Sequence, residues 1–142
     1  MALHLIKLAV GVRDFGHLKE LQANRRRERR QKGNGPHWVF TRNTPKRVEE
    51  LLDGGSLYWV IKGVVGARQT LVGFDEDADD EGRKYCKIKV RRTVVATAPM
   101  AMKAFQGWRY FDGARAPRDL SKGDTSALPP EMAAELKRLG LL

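Results

Sequence analysis

The 142-residue chain holds one cysteine, Cys86, and three histidines, His4, His17 and His37. One cysteine excludes an internal disulfide and every multi-cysteine zinc site. No two histidines stand at the i, i+4 spacing that puts both imidazoles on one helix face for a metal. No apolar run approaches the roughly 20 residues that span a bilayer. Residues 1–7 lack the basic-then-apolar order of a signal peptide. A cytoplasmic location with no membrane partner is therefore expected. Phosphate-loop fingerprints are missing as well: there is no G-x-x-x-x-G-K-[ST], and no G-x-G-x-x-G joins a strand to a helix.

Acidic residues are few and clustered. Of the 17, six are Asp75, Glu76, Asp77, Asp79, Asp80 and Glu81, which leaves the remaining eleven to face 27 Lys and Arg. The stretch matches the first ligand positions of a calcium loop. It then fails, because Asp80 stands where glycine is needed and Cys86 where the bidentate glutamate belongs. A solvated acidic loop is expected, with no metal and no cofactor.

What remains is an ordinary soluble composition with an extraordinary charge. Hydrophobic residues make up 42% and charged ones 31%, while the net charge is +10 and the pI about 10.1. Such an imbalance is common among proteins that meet phosphate backbones. The length suits one domain, which by this reading spans residues 1–120, followed by an arm with a short helix over 121–142.

Alternation predicts a strand over 3–12. Asp14 offers an N-cap to a helix reaching about Gln31, with Gly33 as its stop. A strand over 37–42 and a short helix opened by Thr44-Pro45 come next. The clearest strand is 56–62, with Leu57, Trp59 and Ile61 on one face. A turn over 63–66, strands over 68–74 and 83–90, an extended stretch over 94–98 broken by Pro99, and a strand over 105–111 complete the order. The fold class is α+β: a mixed, mostly antiparallel sheet, curled into a small barrel, with two N-terminal helices and a short C-terminal one.

Three features carry the functional reading. Arg25, Arg26, Arg27, Arg29, Arg30 and Lys32 form a run with no apolar stripe, so that helix end is expected to project into solvent or onto a partner. Arginine's planar fork grips phosphate with two hydrogen bonds. The strand from Arg83 puts Arg83, Tyr85, Lys87, Lys89 and Arg91 on one parity, with Cys86, Ile88 and Val90 on the other, so Cys86 reads as a buried thiol. Aromatic residues supply stacking surfaces: Tyr58, and Trp108 and Tyr110 flanking Arg109. Together these predict a binder of nucleic acid, RNA before DNA. The rival is a protein-docking module whose basic helix meets an acidic protein surface. An enzyme ranks third, since no nucleophile-and-base pair is evident.

The segments Thr41-Arg42-Asn43-Thr44-Pro45-Lys46-Arg47, Leu51-Leu52-Asp53-Gly54-Gly55-Ser56-Leu57-Tyr58-Trp59-Val60-Ile61-Lys62-Gly63, Ala67-Arg68-Gln69 and Phe105-Gln106-Gly107-Trp108-Arg109-Tyr110 resemble a domain family of unknown function from small alphaproteobacterial proteins. The likeness runs from Met1 to about Leu120 and implies no activity or site. A second likeness concerns fold. A short helix, a glycine-rich turn, an aromatic strand and a strand ending Val72-Gly73-Phe74 are similar to PUA-like domains of the EVE and ASCH types. That resemblance implies RNA binding, or recognition of a modified base, in a cleft between barrel and helices.

Overall fold

The computed structural model describes residues 2–31, 33 and 35–120. Their order is β1 (Leu3–Leu8), α1 (Phe15–Glu28), β2 (His37–Thr41), α2 (Val48–Leu52), β3 (Ser56–Ile61), β4 (Val64–Ala78), β5 (Lys84–Val90), β6 (Val95–Ala101) and β7 (Trp108–Asp112). The strands run β2-β5-β4-β3-β1-β7 across the sheet, with β6 also paired to β4. β1 and β3 are parallel and every other pairing is antiparallel. The α+β class and the mixed, mostly antiparallel sheet are therefore as expected. The arm and helix assigned to 121–142 lie outside the described residues.

β4 is the spine. Its first half pairs β3 on one edge and β6 on the other, and its second half pairs β5. The Leu71 N–H reaches Gly55 O while Thr70 O accepts from the Arg91 N–H. β5 and β6 thus follow one another along the same edge. Lys62 and Gly63 both have positive φ, 50° and 79°, between the paired Ile61 and Val64. That is the primed two-residue hairpin, so the turn expected over 63–66 falls earlier and β4 begins at Val64. Nor does Pro99 end its strand. It lies in a register shift between Val65↔Met100 and Ala67↔Ala96, where a missing N–H costs no ladder bond.

The expected acidic loop is half strand. Asp75, Glu76 and Asp77 belong to β4, opposite Lys87, Cys86 and Tyr85. Only Asp79, Asp80 and Glu81 make the turn, where Asp79 Oδ1 accepts from the Glu81 and Arg83 N–H groups at 3.0 and 2.9 Å. Several boundaries also shift: β1 stops at Leu8, β7 starts at Trp108, and α2 starts at Val48 behind Arg47 rather than Thr44.

α1 begins as expected, with Asp14 accepting from the His17 N–H at 2.7 Å. It stops at Glu28, short of Gly33, because Arg30 takes the left-handed conformation at φ 55°. The Arg30 N–H bonds Arg27 O and the Gln31 N–H bonds Arg26 O, the paired closure of a Schellman motif.

Apolar layers cover both faces of the sheet. On the helix side, Leu5, Leu57, Trp59, Ala67 and Ile88 pack against Phe15 and Leu18 of α1 and Leu51 of α2. On the other, Ile6, Tyr58, Val60 and Val65 pack with Phe105 and Phe111. The expected barrel does not close, since no hydrogen-bonded pairing joins the edge strands β2 and β7 among the described strands. On the helix side, Leu18, Leu21 and Gln22 of α1 line a cleft together with residues of β1 and β2.

A polar network fastens α1 there. Gln22 and Gln69, both within 2% of full burial, exchange reciprocal amide bonds of 2.8 Å. Gln69 also accepts from Trp59 Nε1 at 2.8 Å and donates to Arg91 O at 2.9 Å. All four hydrogen-bonding positions of the Gln69 amide are used. Replacing Gln69 by Leu strands the Trp59 N–H, the Gln22 amide and the Arg91 carbonyl together. At about 1–3 kcal/mol for each stranded group, the variant is expected to lose at least about 3 kcal/mol in denaturant unfolding. A loss below about 1 kcal/mol would show that water replaces the network.

Candidate nucleic-acid interface

The arginine run does not project freely. Arg26 Nη1 donates to His37 Nδ1 at 3.2 Å. Arg29 Nη1 donates to Trp38 O at 2.9 Å, and its guanidinium lies 4.6 Å from the Phe40 ring centre. Arg27 bonds Asn24 Oδ1 within the helix. Arg25 and Arg30 are exposed. One side of the helix end therefore lies along β2, and Lys32 lies outside the described residues.

On β5 the basic parity faces outward, as the alternation predicts. Lys87 Nζ sits 4.1 Å from the Trp38 ring centre. Lys89 is ion-paired to Asp75 at 2.6 Å. Arg83 lies in the turn, bonded to Glu81, and Arg91 follows the end of the strand.

The aromatic residues singled out from the sequence lie elsewhere. Tyr58 is 4% exposed and packs edge-on against His4 and Phe111, with centroids at 4.9 and 5.3 Å. Burial raises its hydroxyl pKa. A ring so enclosed cannot stack on a base. Trp108 and Tyr110 lie on β7, the edge opposite β2. Trp108 Nε1 donates to Asn43 O at 2.7 Å, and the Tyr110 hydroxyl accepts from the Lys46 and Arg47 N–H groups at 2.9 and 3.2 Å. These side chains tie down the β2–α2 connection. Arg109 stacks on Phe105 at 4.8 Å. Of the expected set, only the α1 and β5 cations come together.

The rings beside those cations are Trp38, Phe40 and Tyr85. Phe40 lies directly across from Lys87, Trp38 from Lys89, and Asp77 from Tyr85, so all share the outer face of β2-β5-β4. Phe40 is 42% exposed and meets Tyr85 edge-on at 5.8 Å. The signal for this platform was the parity of 37–41, which places Trp38 and Phe40 together, opposite His37 and Val39.

The histidines are structural. His4 Nδ1 accepts from the Ser56 N–H at 2.9 Å and His17 Nδ1 from the Arg13 N–H at 3.0 Å. Because guanidinium only donates, His37 Nδ1 must accept from Arg26. His37 is 1% exposed. Burial first, then Arg26, Arg29, Arg25 and Arg92, bring its pKa down to about 3. Cys86 is buried as expected, and burial pushes its thiol pKa up, away from a reactive thiolate. No helix among the described residues is long and apolar enough to cross a membrane.

Residues 5–142 match DUF1489, a protein family of unknown function, and the chain belongs to that family. The match also takes in the segment after Leu120, beyond the reach of the sequence resemblance. No curated protein and no solved structure matches the chain.

The His37 environment has a consequence for acid stability. Its folded pKa lies below the ordinary imidazole value of 6.5, so the neutral ring favours the folded state. That contribution is complete above pH 6.5 and is lost as the pH falls toward about 3. His37→Asn keeps an acceptor for Arg26 without a titrating ring. Its stability is expected to fall less steeply than wild type across this window, by at most about 1.4 kcal/mol per pH unit. Equal slopes in denaturant titrations at a series of pH values would contradict the buried, neutral imidazole.

Proposed function

We propose that this DUF1489-family protein binds single-stranded nucleic acid, RNA in preference to DNA, on the outer face of β2-β5-β4. The observation that supports the reading is the coincidence of three solvent-facing rings with unburied cations on one sheet surface. Trp38, Phe40 and Tyr85 offer π-faces spaced along and across two strands. Lys87 and Arg29 stand among them for the backbone phosphates, and Arg83, already paired with Glu81, contributes less. Base stacking on aromatic side chains contributes about 1–3 kcal/mol per base and tolerates any sequence. Sheet-borne rings of this kind suit RNA, whose unpaired bases splay out readily.

The arrangement also orders the expected residues by role. Lys89 is already neutralised by Asp75 and contributes less than Lys87. Arg26 serves His37, and Tyr58, Trp108 and Tyr110 serve the scaffold. Arg25, Arg30 and Arg91 extend the basic surface beyond the rings.

The test is fluorescence anisotropy with a short oligouridylate and its deoxy counterpart. Affinity is expected to fall with salt, with a log–log slope near −0.7 per phosphate contact. Phe40→Ala should weaken binding by about tenfold or more while leaving folding intact. Lys87→Ala should make the slope shallower by somewhat less than one unit. Trp108→Ala should leave affinity unchanged in whatever fraction folds. A flat salt response, or an unaltered Phe40→Ala, would sink the proposal. Binding of an acidic protein surface with no oligonucleotide binding would favour the docking alternative.

A further inference from the structure

A second basic site lies behind β2, on the helix side of the sheet. There α1, β1, β2 and β3 together line a cavity of about 320 Å³. Leu21, Val39 and Trp59 supply apolar wall, and Lys7, Arg25 and Arg29 supply charge. No carboxylate among the described residues lines it. Among the described residues none of the three cations makes an ion pair, although Glu28 lies near enough to Arg29 to act on it.

The three cations arrive from different elements. Lys7 is carried by β1, opposite Trp59 of β3. Arg25 and Arg29 stand one helical turn apart on α1 and so share a face. Arg29 is held by Trp38 O and by the Phe40 ring. Like charges do not gather beside apolar wall without cost, since each loses hydration and repels its neighbours. Lys7 shows both effects: burial, then Arg25, lower its pKa. Structure alone does not require this, because Lys7 faces a cavity where an apolar side chain would fit.

We propose that this cleft binds a phosphate monoester, its dianionic head held by Lys7, Arg25 and Arg29 and its esterified group lying on Leu21, Val39 and Trp59. A phosphate monoester carries close to two negative charges at neutral pH and three acceptor oxygens, which several converging donors match better than a carboxylate would. The apolar wall asks for an organic substituent, so inorganic phosphate should bind less well. The inference stands on the cleft and not on the outer face. Arg29 and Phe40 separate the two surfaces, so the ester has two sources: a free small molecule, or the terminal phosphate of a strand lying across Trp38 and Phe40.

Phenyl phosphate is the probe, titrated calorimetrically into the full-length protein. It is expected to bind at least about tenfold tighter than inorganic phosphate, with no binding of phenol. Arg25→Ala, at an exposed helical position, should fold normally and lose about tenfold or more in affinity. Lys7→Met should do the same, and Lys87→Ala on the outer face should not. Phenyl phosphate no tighter than inorganic phosphate, or binding that survives both Arg25→Ala and Lys7→Met, overturns the proposal.

A second arm compares 5′-phosphorylated and 5′-hydroxyl oligouridylates. A preference for the phosphorylated strand that disappears in Lys7→Met identifies the strand end as the source. Binding of phenyl phosphate without such a preference identifies a free ester, and it does so whether or not the outer face binds RNA.

Discussion

The side-chain amide of Gln69 joins α1 to the sheet. It accepts from Gln22 and Trp59 and donates to Gln22 and the Arg91 carbonyl. A half-satisfied buried network is worse than an apolar core, and a fully satisfied one selects a single arrangement. Here it selects the rotation and height of α1. From that placement follow the contact of Arg26 with His37, the reach of Arg29 to Trp38 and Phe40, and the cleft that α1 lines with β1 and β2. Three of its members come from distant segments, α1, β3 and β4, so α1 cannot shift along the sheet without breaking several bonds at once.

Charge is distributed less evenly than its total suggests. β4 sets Asp75 and Asp77 against Lys87 and Tyr85 of β5, and Asp75 pairs with Lys89. Arg68 is gripped twice by Asp119 at 2.6 Å, and Arg47 by Glu50. Among the described residues, acids thus offset Arg47, Arg68, Arg83, Lys84 and Lys89, all outside α1. The uncompensated positive charge gathers around β2, where Arg25, Arg26, Arg29 and Arg92 all act on one imidazole. One amino group of Arg92 is buried there with no hydrogen-bond partner among the described residues. A surface that concentrates its excess charge at one strand attracts anions to that strand in particular.

Periodicity in the chain carried the elements further than it carried the site. The alternation of 56–62 correctly put Leu57 and Trp59 in the helix-side core, Asp14 correctly capped α1, and the β5 parity correctly buried Cys86, Ile88 and Val90. Parity cannot say that both faces of a strand are covered, so Tyr58 read as available when Phe105 and Phe111 enclose it. Strand order is not encoded locally either, and β7 lies across the sheet from β5. The helix end misled for a chemical reason. A count of apolar residues stops at Leu21, whereas the residue that holds α1 down is Gln22, polar and fully satisfied. The cleft was illegible because its cations come from β1 and α1, distant in the chain, and meet only once α1 is seated on the sheet.

β2 is the first strand of the sheet, and among the described strands one of its edges has no partner. An open edge is a template on which a second chain can add a strand, the usual start of self-assembly through sheets. On this edge the Trp38 carbonyl is occupied by Arg29, and the Pro36 carbonyl just before the strand by the Gln31 side chain. An incoming strand would have to displace a charged side chain from one acceptor and an amide from the other. It would also meet the repulsion of a like-charged copy. The contacts that seat the arginine helix therefore also obstruct strand addition along β2.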